Sequence, residues 1–135
     1  MHEAMSETQL RRFELGFRGT ELRAKLVAAV LRGEKTGTAG LLGEEQLPVV
    51  GERCMLVDID DRPIGIVETT EVRVLRIGDC DLEFAISEGE GFATIAEWKE
   101  AHVAYWSSYW PEPITDDTMF VAERFRIVEL FPPSA

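Results

Sequence analysis

The chain has 135 residues, 45% of them hydrophobic, enough for one domain with its own core and no stabilising staples. Its 25 acidic residues outnumber its 14 basic ones, giving a net charge of −11, which argues against gripping a long phosphate backbone. No apolar run approaches membrane-spanning length, and two cysteines and two histidines without ligand spacing exclude a structural zinc site.

The chain reads as one domain over residues 1–135, with fraying expected at Met1–Glu7 and Pro132–Ala135. The acidic start MHEAMSETQL lacks the apolar segment of a signal peptide, so the expected location is the cytoplasm. Cys54 and Cys80 then read as two buried thiols. Ser6 with Gln9 forms a capping box ahead of Leu10, Phe13 and Phe17, which predicts a short first helix. Thr20 is the N-cap of a second helix. Leu22, Leu26, Ala29 and Val30 recur at helical spacing, and Gly33 stands where a helix-ending glycine belongs. Gly33–Thr38 follows as a loop.

After Gly51 the period changes to two. Met55, Val57 and Ile59 alternate, Asp60–Pro63 turns, and Ile64–Ile77 is β-branched, which together predict a hairpin. Asp79–Phe84 reads as a short helix and Glu88–Gly91 as a loop. Thr94 with Glu97 caps a helix running to about Tyr109. Met119–Phe131 reads as a final strand. Strands and helices alternate without a βαβ repeat, so the expected class is α+β, with a mostly antiparallel sheet curled into a small barrel.

Three groupings could carry chemistry. Lys35-x-x-Thr38 can place an amine and a hydroxyl at one pocket mouth. A threonine hydroxyl becomes a nucleophile when a base takes its proton, and a lysine serves if burial favours its neutral form. Equally, the segment can be a glycine-rich turn with a solvated lysine. The Gly-Lys pair of a phosphate-binding P-loop is missing, because Glu34 precedes Lys35. Glu88-Gly89-Glu90-Gly91 can swing carboxylates into a site or remain a solvated acidic loop. Seven carboxylates and one cation, Lys99, lie between Asp79 and Glu100. Trp98, Tyr105 and Tyr109 share a helix face with His102, suited either to stacking on a base or to packing on a sheet. Glu68 can point outward with Glu123, Arg124 and Arg126, or inward against Lys35 or Arg124.

Taken in order, Leu31–Thr38 ahead of Leu41-Leu42, Leu47-Pro48-x-x-Gly51, Val67–Val72, Phe84-Ala85, Glu88–Gly91, Glu97-Trp98-x-x-Ala101-His102 and Glu123-Arg124-Phe125 resemble the ASCH domain family, a relative of the PUA fold. The resemblance implies an α+β, PUA-like small antiparallel β-barrel flanked by helices, with a cleft beside the Gly33–Thr38 loop. It implies a link to RNA and, in some members, hydrolysis of 4-acetylcytidine by an amidohydrolase. By position it implies Lys35, Thr38 and Glu88 as catalytic residues, with Glu90 a near neighbour of the last. Gly33, Thr36, Gly37, Glu68, Glu90, Trp106 and Arg124 are the expected ligand contacts. The expected partner is a small nucleoside or a short RNA, with no long duplex, no membrane, no metal and no cofactor. A non-catalytic reader of RNA or a modified nucleotide, and a ribonuclease acting on single-stranded RNA through Glu68, Glu88 or Glu90, are the alternatives. The added N-terminal segment and the aromatic Trp98–Trp110 stretch set this chain apart from the small amidohydrolases.

Overall fold

The computed structural model describes residues 10–133. Five strands form one mixed sheet in the order β1-β3-β4-β5-β2: β1 is Arg12–Phe13, β2 Gly37–Leu41, β3 Arg53–Val57, β4 Pro63–Arg76 and β5 Met119–Leu130. All pairings are antiparallel except that of β1 with β3. Three helices complete the fold: α1 Glu21–Leu31, α2 Leu82–Ser87 and α3 Ile95–Ser107. The register of β4 shifts at Ile66/Val67 and again at Thr69/Glu71, and such bulges bend a strand. The sheet curls into a half-barrel in which the two edge strands, β1 and β2, face a common recess. The α+β, PUA-like class expected from the sequence is the observed one, with one parallel edge strand added.

Thr20 caps α1 by accepting the Arg23 amide, and Thr94 caps α3 by accepting that of Glu97. The predicted hairpin is β3 and β4. The short helix starts later than expected. A 3-10 turn occupies Ile77–Asp79, and α2 begins after Asp81, whose carboxylate accepts the Phe84 amide. The first predicted helix is corrected over its described part. Arg12–Phe13 is a strand, Phe13 and Leu15 are buried with Glu14 between them, and Phe17 is 51% exposed, a spacing of two that seats Phe13 on Phe125. Ser6 and Gln9 lie outside the described residues. Gly37–Leu41, whose first two residues were read as the end of the Gly33–Thr38 loop, is a strand paired along its length with β5.

Two cores flank the sheet. Phe13, Leu15, Leu26, Val30, Leu56 and Phe125 make one beneath α1. Trp98, Trp106, Phe84, Ile77, Phe120 and Leu41 make the other beneath α2 and α3. Cys54 and Cys80 are both buried and unpaired, and burial pushes the Cys54 thiol up to about 11. Among the described residues no helix is long and apolar enough to cross a membrane.

Candidate functional site

Two turns are locked against each other between the cores. The chain leaves α1 through Gly33 (φ 80°), and the Glu34 and Lys35 amides donate back to the Ala29 carbonyl at 3.0 and 3.1 Å. It leaves α2 through Glu88 and Gly89 (φ 69°). The Thr36 amide donates to the Ser87 carbonyl at 2.7 Å. A Cβ on Gly37 would lie 2.2 Å from Ser87 Oγ, and one on Gly89 would lie 2.5 Å from the Glu34 carbonyl oxygen. Glycine at 89 therefore allows the two backbones to touch, and glycine at 37 leaves room for the Ser87 side chain.

This contact buries Lys35 and Glu88, each 2% exposed, side by side. Lys35 Nζ donates to the Gly37 carbonyl (2.8 Å) and the Glu88 carbonyl (3.4 Å), and stands 3.6 Å from Glu88 Oε1. The other carboxylate oxygen, Oε2, accepts the Trp98 indole N–H and lies 3.0 Å from His102 Nε2. His102 Nδ1 lies 2.8 Å from the Trp98 carbonyl, which can only accept, so Nδ1 carries a proton. Burial disfavours charge on both partners, but each outweighs it for the other. Glu88 is held below the usual carboxylate range by His102, Lys35 and the Trp98 N–H, and His102 is raised by Glu88. Each therefore favours the charged form of the other.

Lys35, Thr38, Glu88, Glu90, His102 and Trp106 line one cavity of about 270 Å³, together with Glu14, Leu22, Leu26 and Tyr105. It adjoins a second lobe of about 300 Å³ bounded by Phe17, Glu44, Glu45, Tyr105 and Tyr109. Together they reach the size of ordinary small-molecule sites, roughly 300–1,000 Å³. Burial pushes Glu90 up, Lys35 pulls it down, and the Glu88 charge raises it again, leaving it above the usual range. Glu45 is likewise raised by burial and then by Glu14 and Glu44. The lining is rich in carboxylates, while Lys35 and His102 already face Glu88.

Of the residues expected at the site, Lys35, Thr38, Glu88, Glu90 and Trp106 meet in this cavity. Among the described residues no hydrogen bond joins Thr38 to Lys35. Gly37 contributes its carbonyl, and Gly33 only its turn. Thr36 faces the other way, with its hydroxyl and carbonyl accepting from Arg124. Arg124 is therefore a strut under the loop and lines a separate surface recess with Glu71, Arg73 and Asp81. The inward reading of Glu68 is also corrected. Its register partners on the two neighbouring strands are Arg53 and Arg126, and it is ion-paired to both on the outer surface.

Three contributors were missed. His102 and Trp98 were seen as neighbours on a helix face, but nothing local signalled that both meet Glu88. Arg23 is buried in α1, where its guanidinium contacts Glu14, Asp61 and the Leu15 and Gly16 carbonyls and fixes the Glu14–Gly16 wall of the cavity. Its carboxylate partners lie 9 and 38 residues away, beyond any local pattern. Glu88, Glu90 and His102 each offer a donor atom within 4.8 Å of the others, a spacing that could hold a metal ion. The donor set argues otherwise, because Glu88 Oε2 is engaged by Trp98 and His102 and Lys35 faces Oε1. Glu68 is remote from this cluster, which removes it from the carboxylate set considered for a ribonuclease.

A family model described as the ASCH domain matches residues 14–129. A crystal structure of an Enterococcus faecalis V583 protein is 27% identical with a TM-score of 0.77, covering 90% of this chain and 78% of its own. The crystal structure of an ASCH domain from Lactobacillus crispatus JV V101 is 31% identical with a TM-score of 0.68, covering 78% and 71%. No curated protein matches the sequence.

Proposed function

The chain belongs to the ASCH domain family, and on that premise we propose that it hydrolyses an acyl amide on a modified nucleoside, with Thr38 as nucleophile and Lys35 as its base. One observation carries this reading: a buried lysine shares a nucleoside-sized cavity with a threonine and is held by three acceptors. As an ammonium, Lys35 can direct its three hydrogens at the Gly37 carbonyl, the Glu88 carbonyl and Glu88 Oε1. The carboxylate contact is the longest of the three. Loss of that proton leaves two N–H groups on the two carbonyls and a lone pair on the Glu88 side, which the amine must turn toward Thr38 to accept the hydroxyl proton.

In the proposed reaction, Thr38 Oγ attacks the acyl carbonyl carbon while its proton passes to Lys35. The C–N bond breaks as Lys35 returns that proton to the leaving nitrogen. Water then cleaves the threonyl ester, giving its proton to Lys35, which re-protonates Thr38. Glu88 holds the amine in line throughout. The carboxylates around the cavity favour an uncharged nucleoside over a polyphosphate or long strand.

The test is acetate release from 4-acetylcytidine. Lys35→Met and Thr38→Ala are each expected to lower turnover by at least ~100-fold with unchanged circular dichroism. If both variants keep activity, the chemistry is wrong. The missing Thr38–Lys35 hydrogen bond favours a second reading, a module that binds a modified nucleoside without turning it over. Saturable binding of 4-acetylcytidine with no acetate release would select that reading.

A further inference from the structure

Glu14 borders the inner lobe, the outer lobe and the recess between the edge strands, and no other ionisable side chain borders all three. It is also pinned in place. The buried guanidinium of Arg23 donates to Glu14 Oε2 and to the Leu15 and Gly16 carbonyls, so one cation holds three consecutive residues beside the cavity. Glu14 Oε1 stands 3.5 Å from the exposed Arg12 guanidinium and accepts no hydrogen bond from the described residues. A carboxylate offers about four acceptor sites, so most of those on Glu14 remain open to a ligand. The neighbouring acids are less suited. Both Glu44 oxygens accept the Tyr109 hydroxyl at 2.8 Å, and Glu45 is raised by burial and by Glu14 and Glu44.

The two lobes share Gly16, Ala39, Tyr105 and Trp106 with Glu14, so a ligand can run from one into the other past this carboxylate. Thr38 borders the inner lobe and not the outer one. In an acylated cytidine the acyl-bearing nitrogen and the glycosidic nitrogen stand on opposite sides of the ring. An acyl group at Thr38 therefore sends the sugar toward the junction and the outer lobe. We infer that Glu14 selects that sugar: its carboxylate accepts both hydroxyl hydrogens of a 2′,3′-diol, and the cavity takes ribonucleosides in preference to 2′-deoxyribonucleosides. The inference rests on the nucleoside reading of the cavity and uses no step of the proposed hydrolysis.

The experiment is calorimetric titration of the full chain with cytidine and with 2′-deoxycytidine, neither of which carries an acyl group to lose. Cytidine should bind about tenfold more tightly, the worth of one hydrogen bond to a charged acceptor that is partly open to water. In Glu14→Gln, whose amide carbonyl can still accept from Arg23, the two sugars should bind alike. A purely structural role would weaken both nucleosides together and leave their ratio unchanged, which overturns the inference. If Glu14→Gln does not fold, Glu14→Asp keeps the charge beside Arg23, draws the carboxylate back from the cavity and reads the same ratio. Equal binding of the two sugars by the native chain, or binding of neither, also overturns it. A ribose preference in a chain that releases no acetate from 4-acetylcytidine keeps this inference and removes the hydrolase reading. Acetate release at equal kcat/KM from 4-acetylcytidine and its 2′-deoxy form does the reverse.

Discussion

Glu88 carries one charge and meets two groups that can each carry the opposite one, so protonation of this cluster couples to stability. His102 is raised from 6.5 in the fold, against the cost of burial, by Glu88. Its contribution is complete below about 6.5 and is lost as pH rises through the folded value. Glu88 is lowered from 4.5, again against burial, by His102, Lys35 and Trp98. Its contribution is complete above about 4.5 and is lost as pH falls through the folded value. Both are present together between those limits, so this pair's contribution to the melting temperature should be greatest from about pH 4.5 to about pH 6.5 and fall on either side, while Glu45 and Glu90, raised in the fold, take stability away as they ionise above about 4.5. Thermal melts of the native chain and His102→Gln across this range check the sign. The variant should lose the His102 part of the decline above about pH 6.5, and an identical profile would show that the pair does not titrate as described. The meeting of Lys35, Thr38 and Glu88 in one cavity was legible in the sequence because the ordered resemblance picked out all three. His102 was not, since its partner is set by the turn after α2, and i,i+4 spacing with Trp98 is equally the mark of a packed helix.

At the level of elements, two helices and the long strands declared themselves through caps and alternation: Thr20 and Thr94 accept the amides that start α1 and α3, whereas Asp81, the cap of α2, lay inside the segment read as helix. The short edge strands did not. β1 has two residues and borrows its conformation from β3, while β2 reads GTAGL, without the β-branched run that marks a strand. What joins these weakly written pieces into a site is contact between the turns after α1 and α2. Two glycines separate the possible reasons for glycine there. Gly33 and Gly89 both have positive φ, but a Cβ on Gly33 meets nothing within 4 Å whereas one on Gly89 meets Glu34 and Lys35 backbone. Gly33→Ala should cost only the conformational penalty, about 1–2 kcal/mol. Gly89→Ala adds overpacking against backbone that cannot yield, for a total of about 2–5 kcal/mol. It should also separate Lys35 from Glu88, and so depress the proposed turnover, while Gly33→Ala leaves Lys35 in place. Urea denaturation midpoints of the two variants measure the difference. Equal losses would mean that the two turns are not in register-fixing contact.

Across the whole molecule, acidity is concentrated where the cleft opens. Glu14, Glu44, Glu45 and Glu90 line its two lobes, and Tyr109 donates to Glu44 across the outer one at 2.8 Å. The net charge of −11 reinforces this local field. A ligand bearing a phosphate at the mouth would meet these carboxylates, while the two basic groups lining the inner lobe, Lys35 and His102, are both turned to Glu88. At separations of ~7 Å and an effective dielectric constant of about 40, one such like-charge pair costs about 1 kcal/mol. Two of them in play would disfavour a 5′-monophosphate by roughly 10- to 30-fold relative to its nucleoside. Hydrolysis of 4-acetylcytidine should therefore exceed that of its 5′-monophosphate in kcat/KM at low salt. The gap should narrow in about 0.5 M salt, because these carboxylates border solvent and are screened over a few ångströms. A preference for the phosphorylated form, or a gap indifferent to salt, would show that the acidic rim does not select the ligand and that a cationic groove elsewhere on the surface does.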